Sequence, residues 1–272
     1  MIKFFRKIRQ QMIKENRVSK YILYAIGEIL LVVIGILIAL QFNAWNIIRI
    51  NDQKEINLLI ELKEEYQGKL IELEQKMQLR NMMISASGSL LKLIQEENFS
   101  ISYDSLMRLT ALTTISPTFD ASNSVTEELI NTGNLYLIKN NELRKLTTEW
   151  KGELDKMTEE EDRVIEVLMN DYLPYLFTKV PYKSMVNTFF SENSEVWKYI
   201  MKSGQDNSYA TGKSKQEIDI EMLLKDLRFE NYATLINFGS LTANLQSESL
   251  KTHINTVLTL IDGDLKQKAI ND

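Results

Sequence analysis

The amino-acid sequence predicts an all-α protein, with a single N-terminal transmembrane helix continuing into an extracytoplasmic antiparallel helical bundle. Three observations carry this expectation. Ile22–Phe42 is an apolar run whose only strongly polar members are Glu28 and Gln41. Beyond it, apolar residues recur at steps of three, four or seven with charge between them, which is the spacing of one helix face. The 272 residues include only 10 glycines and 3 prolines, a composition that favours long helices over turn-rich sheets. The implied organisation is a basic leader at 1–20, a membrane helix at 21–45 and a helical-bundle domain at 46–272.

The leader holds Lys3, Arg6, Lys7, Arg9, Lys14, Arg17 and Lys20 against one acid, Glu15. Phe5, Ile8 and Met12 fall at helical spacing among those bases. The segment 2–13 therefore reads either as a short helix lying on the inner leaflet or as a disordered basic leader. The region after the apolar run carries a formal charge of about −10 at neutral pH. No basic face for DNA or RNA is visible in it, so nucleic acid is not expected as a partner. Lipid head groups are the better match for the leader's charge.

At about 1.5 Å per residue, the run Ile22–Phe42 spans roughly 30 Å, the thickness of a bilayer core. Lys20, Tyr21 and Tyr24 flank one end and Trp45 the other, as interfacial anchors do. A buried core helix rarely needs so long a run. A cleavable signal is disfavoured because Phe42-Asn43-Ala44 lacks the small-x-small pattern. Seven bases precede the span, whereas Arg49 and Lys54 are the first to follow it. The positive-inside rule thus puts the N-terminus in the cytoplasm and the C-terminal domain outside an inner (plasma) membrane crossed once.

Glu28 sits one turn inside this run. Helical side chains lean toward their own N-terminus, so Glu28 can snorkel to the cytoplasmic face, bond Tyr24 or stay protonated. An ionised carboxylate deeper in hydrocarbon would cost about 3 kcal/mol. The plain reading is a tolerated boundary residue. The functional reading is a polar contact between membrane helices, with Glu28 beside the stripe Gly27, Leu31, Gly35 and Ala39, where small residues permit close approach.

After Asn51, Leu59, Leu62, Tyr66, Leu70, Leu73, Met77, Ile84 and Leu91 mark an amphipathic helix running to about Gln95. A coiled coil suits part of this pattern, but only a few heptads hold register. Ser102–Thr113 predicts a short helix, TTISPTFDAS a loop, and Ser122 or Ser124 the start of another helix that Gly133 stops in a left-handed cap. Leu135, Leu137 and Ile138 are expected to pack down. Asn140 or Asn141 then caps a helix with Leu143, Leu146, Trp150, Leu154, Met157, Val164, Leu168 and Tyr172 on one face, ended by Pro174 and Pro181. Residues 182–202 give a weaker helical signal, 203–216 a surface loop, and about 217–268 two final amphipathic stretches.

MIKFFRKIRQ followed by KYILYAIGEILLVVIGILIALQFNAWN resembles the start of an uncharacterised family of bacterial single-span membrane proteins, a domain of unknown function. INTGNLYLIKNNELRKL is similar to that family's helix–Gly–Leu-x-Leu-Ile-x-Asn–helix turn. NAWNIIR departs from the more polar Asn-Asn-Trp-Asn-Glu expected after the span, which blurs the outer edge of the span and leaves the topology alone. The resemblance implies no activity, cofactor or catalytic residue.

The residues themselves offer little chemistry. With no cysteine, thiolate catalysis and disulfides are excluded. His253 is the only histidine and reads as a surface or core-edge residue; Ser247 and Ser249 lie near it in sequence without forming a triad. No Walker A, GxSxG or GxGxxG motif occurs. Glu159–Asp162 reads as a solvated acidic face, and Asp262-Gly263-Asp264 lacks the remaining ligands of a calcium loop. No catalytic, cofactor or metal residue is assigned, and no enzyme activity is expected.

Two functions remain. One is a membrane-anchored interaction or scaffold module whose partners are the lipid bilayer and either an envelope protein or a second copy. The other is a sensor-like ligand-binding bundle that signals through a partner membrane protein. A buried pocket lined by tyrosine and arginine would favour the sensor; a large exposed apolar patch would favour the interaction module.

Overall fold

The computed structural model describes residues 18–189 and 212–271, with the side chains of 18–21, 24 and 271 set aside. Several expectations therefore lie outside the described residues: the leader up to residue 17, the later part of 182–202, most of the 203–216 loop, and the side chains of Lys20, Tyr21 and Tyr24. Every regular element among the described residues is helical, and no strand occurs there. The chain divides into two compact units, residues 1–57 and 58–272.

Helix α1 spans Val18–Gln95. In the first unit its large apolar residues from Ile22 to Ile50 stand exposed, Leu31 by 73% and Val33, the least of them, by 44%. None of the most apolar stretch is buried, so it is not a core helix; by length and composition it can cross a membrane.

The second unit is built on three long helices: the α1 residues from Leu58 on, α4 (Asn141–Val167) and α8 (Leu227–Asn271). Between α1 and α4 come α2 (Tyr103–Leu112), α3 (Ser124–Asn131) and a 3-10 turn (Asn134–Leu137). After α4 come a π turn (Leu168–Tyr172), α5 (Leu173–Lys179), α6 (Tyr182–Phe189) and α7 (Ile220–Leu224).

Local chemistry sets these ends. Ser102 Oγ accepts from Ser105 N at 3.1 Å to start α2. Asn140 Oδ1 accepts from Glu142 N and Leu143 N to start α4, and Asp219 Oδ1 accepts from Met222 N to start α7. Gly133 takes φ of 72° just past α3, the left-handed stop that the sequence predicts. Ile138 packs down fully, while Leu135 and Leu137 are only half-buried on the 3-10 turn.

Pro174 does not end the helical run, in contrast to the sequence reading. Proline has no N–H for the preceding turn, and its ring crowds the carbonyl four residues back. Widening Leu168–Tyr172 to a π turn accommodates both, and the chain stays helical to Lys179 before Val180 turns extended.

Helix directions follow from cross-helix pairs. Lys63 meets Asp262, Lys251 meets Glu74, and Asn237 bonds Ser87, so α8 runs antiparallel to α1. Tyr66 packs on Trp150 and Arg80 pairs with Glu161, so α4 runs parallel to α1. The predicted antiparallel arrangement holds for α8 and fails for α4. The reason is the segment 96–140, which returns along α1: Phe119, Asp120 and Val125 contact Glu161, Glu72 and Glu65 in turn. That return lets α4 start again near the Glu65 level.

Two apolar clusters fill the unit. One gathers Leu59, Leu62, Tyr66, Leu73, Trp150 and Ile254 among others; the second gathers Met83, Leu90, Leu106, Tyr172, Phe229 and Ile236. Leu70, Ile84 and Leu91, expected on the core face of α1, are half-buried at its edge.

Gly239 marks a close approach of α8 to α4: a Cβ there would lie 2.6 Å from Val164 Cγ2. Helix propensity alone favours alanine over glycine by about 0.8–1 kcal/mol, but a stiff β-branched neighbour cannot move aside. Gly239→Ala should therefore destabilise by about 1–3 kcal/mol through overpacking, and Val164→Ala should recover most of that loss. Gly152→Ala on α4, where nothing lies within 4 Å, should stabilise instead. Denaturant midpoints of the three variants decide the matter; a neutral Gly239→Ala would show that the contact is slack.

Candidate functional site

Between the two apolar clusters lies a polar layer to which all three long helices contribute. Arg80 of α1 is 2% exposed and Glu161 of α4 is 4% exposed. The guanidinium spreads its donors over three groups: Nη1 to Glu161 Oε1, Nε to Asn244 Oδ1 at 2.7 Å, and Nη2 to Ser247 Oγ at 2.6 Å. Asn244 Nδ2 reaches on to Asn81 Oδ1 at 2.8 Å. Glu161 Oε2 accepts from the Phe119 backbone N at 3.0 Å. Burial pushes the Glu161 carboxyl up, opposed by Arg80 and the Phe119 N–H, and pushes the Arg80 guanidinium down, opposed by Glu161. Both Glu161 oxygens accept hydrogen bonds, which suits the ionised carboxylate. A cavity of about 10 Å³ beside the pair, lined by Ser116, Val164 and Ser240 among others, has room for about one water.

A second buried cation sits in the Trp150 cluster. Lys69 is 1% exposed, and its Nζ lies 4.2 Å from the ring centroids of both Tyr66 and Trp150, a cation–π arrangement on two faces. The ammonium donates to Glu65 Oε1 at 2.8 Å and to Thr126 Oγ1 at 3.2 Å. Burial lowers the Lys69 pKa, against the pull of Glu65. Glu65 also accepts from Val125 N at 2.6 Å and from Thr126 N and Oγ1. It thereby satisfies first-turn donors of α3 that the N-cap residue Asn123 leaves alone. The Asn123 side chain instead accepts from Trp150 Nε1 at 2.7 Å.

Three carboxylates, Glu161, Glu72 and Glu65, thus fasten the backbone of the 119–126 stretch to α4 and α1. Arg80 and Glu161, and Lys69 and Glu65, turn toward one another, and the two glutamates also turn toward this stretch and hold it.

His253 lies at the core edge, as the sequence reading has it. Its Nε2–H donates to the Leu146 carbonyl at 3.1 Å, and its ring is 6.0 Å from that of Trp150. Burial lowers its pKa, against the Leu146 bond and Glu153 and Glu149. The folded state therefore binds fewer protons than the unfolded one as pH falls through the usual histidine value near 6.5, and stability is lost on that acid side. His253→Gln should lose less stability than the parent between pH 7.5 and 5.5. Equal losses in denaturant titrations at the two pH values would overturn this.

The acidic run Glu159–Asp162 is only partly the solvated face expected, because Glu161 turns inward. Asp262 and Asp264 lie within α8, the first paired with Lys63 and the second accepting from Asn140; they form no calcium loop. Ser247 belongs to the Arg80 layer, not to His253. Among the described residues no group of three or more His, Cys, Asp or Glu could hold a metal ion.

In the first unit, a Cβ at Gly27 or Gly35 would meet nothing within 4 Å. Leu31, Ala39 and Trp45 are exposed, and Glu28 is partly so. These residues share one helix. In the second unit, a cavity of about 740 Å³ opens between Leu93–Ile101 and Ile220, Glu221 and Leu224 of α7 with the following Lys225. Neither tyrosine nor arginine lines it.

Against known families, residues 28–102 match a model described as "Family of unknown function (DUF6090)". The match covers most of α1 and the turn up to the α2 cap Ser102, and it supports a domain of uncharacterised function there. It includes Glu65, Lys69 and Arg80. No curated protein matches the chain, and no solved structure matches it.

Proposed function

We propose that the protein is a membrane-anchored helical interaction module, held by α1 in an inner membrane with its N-terminus cytoplasmic and its C-terminal domain on the far side. The observation that carries this reading is the apolar stretch of α1 from Ile22 to Ile50, exposed along its length. The body supports it too. Arg80 and Lys69 are paired with Glu161 and Glu65, which also hold its backbone, and it displays exposed apolar side chains such as Phe238 and Leu245, 67% and 64% exposed on α8.

The test is affinity capture of the full-length chain from solubilised membranes, with mass spectrometry of proteins and small molecules. A reproducible protein partner, or a second copy of the chain, is the expected result. A retained small molecule with no protein would overturn the reading in favour of the sensor-like bundle. The cavity at Leu93–Ile101 favours that alternative by its volume, which is in the range of ligand pockets. Its lining lacks the tyrosine and arginine side chains that the sensor reading calls for. Release of the full-length chain by carbonate washing would remove the anchor.

Within the span, Gly27, Glu28, Leu31, Gly35 and Ala39 form the face by which α1 would meet another membrane helix. Gly35→Ile together with Glu28→Leu should weaken association of the isolated span by about 1–2 kcal/mol, the scale of polar and small-residue membrane contacts. Unchanged self-association in detergent would remove this contact.

A further inference from the structure

The exposed side of α8 carries a pattern that the core does not explain. Ala233, Ile236, Ser240, Ala243 and Ser247 face inward. On the opposite side, Leu227, Asn231, Thr234, Phe238, Leu241 and Leu245 are all exposed. Their spacing of four, three, four, three and four is that of a coiled-coil seam, with Asn231, Phe238 and Leu245 at one seam position and Leu227, Thr234 and Leu241 at the other.

We propose that this seam binds a second copy of the chain, α8 against α8, parallel and in register. The reading rests on the interaction-module function above and names its partner. Two features support a second copy in this orientation. Asn231 would lie beside the Asn231 of the other copy, where the two amides satisfy each other; an antiparallel pair centred on Phe238 would set Asn231 against Leu245. Joining the seams covers roughly 1,000 Å² over both copies, the least that a specific interface needs. Glu248, at the next seam position, would meet its own copy and ends the contact by like charge. Membrane anchoring raises the local concentration at which so small a contact operates.

The chain has no cysteine, so single cysteines report the geometry directly in the full-length, membrane-inserted protein. Leu245→Cys and Phe238→Cys should each cross-link to themselves with a short bismaleimide, while Lys145→Cys on exposed α4 should not. Phe238→Glu placed in the Leu245→Cys chain should cut cross-linking at least tenfold with an unchanged melting temperature. Cross-linking of a Leu245→Cys and Asn231→Cys mixture, without self-cross-linking of either, would overturn the parallel pairing. Absence of any seam cross-link overturns the second copy. If a different protein is then captured and Phe238→Glu abolishes that capture, the interaction module stands without the dimer; if nothing is captured, both fall.

Discussion

Arg80→Ala should destabilise the helical unit by about 3–5 kcal/mol, and Glu161→Ala by a similar amount, because each strands the other's charge in a buried layer. Arg80 also supports Asn244 and Ser247, and Glu161 also takes the Phe119 N–H. An apolar pair, Arg80→Met with Glu161→Leu, removes both charges and should recover part of the loss. Recovery stays incomplete because the Phe119 N–H and the Asn244 amide lose acceptor and donor, at about 1–3 kcal/mol for each buried group left without a partner. The expected signature is a double variant more stable than either alanine variant yet below the parent. It is read from denaturant unfolding of the full-length chain in detergent. Additive losses when Arg80→Ala and Glu161→Ala are combined in one chain would mean that the two charges do not sense each other.

Much of this architecture is legible in the sequence, and the illegible part has a common cause. The apolar run, the caps at Ser102 and Asn140, the Gly133 stop and the final helix follow from local rules. What periodicity alone missed is that charged residues occupy core positions. Along α1 the buried stripe reads Leu59, Leu62, Tyr66, Lys69, Leu73, Met77, Arg80, Met83, Ser87 and Leu90. Lys69 and Arg80 keep the three-and-four spacing, but an apolar count passes over them and takes Leu70 and Ile84 instead. Glu161 keeps the spacing of Trp150, Met157 and Leu168 in the same way, although its neighbours in the acidic run suggest a wet face. A charge falling on a heptad stripe is the signal that could have found all three. The parallel course of α4 left no such signal, because it depends on where the 96–140 segment is fastened, and that depends on contacts distant in sequence.

The same logic makes Glu65 the most consequential single carboxylate in the Trp150 cluster. Glu65→Ala removes the anion beside Lys69 and, in the same step, the acceptor for Val125 N and Thr126 N at the start of α3. The stranded ammonium alone accounts for about 3–5 kcal/mol; uncapping α3 adds about 1 kcal/mol. The rings of Tyr66 and Trp150 soften the first loss, since they face the cation at 4.2 Å whether or not Glu65 is present. Lys69→Met in the Glu65→Ala chain should restore most of the stability, because a flexible thioether fills the slot between the rings without a charge. The α3 share should remain lost, leaving the double variant about 1 kcal/mol below the parent. Hydrogen exchange separates the two shares: the amides of Val125 and Thr126 should open in every chain that lacks Glu65, whatever occupies position 69. Protection of those amides in Glu65→Ala would show that α3 is fastened by something other than this carboxylate.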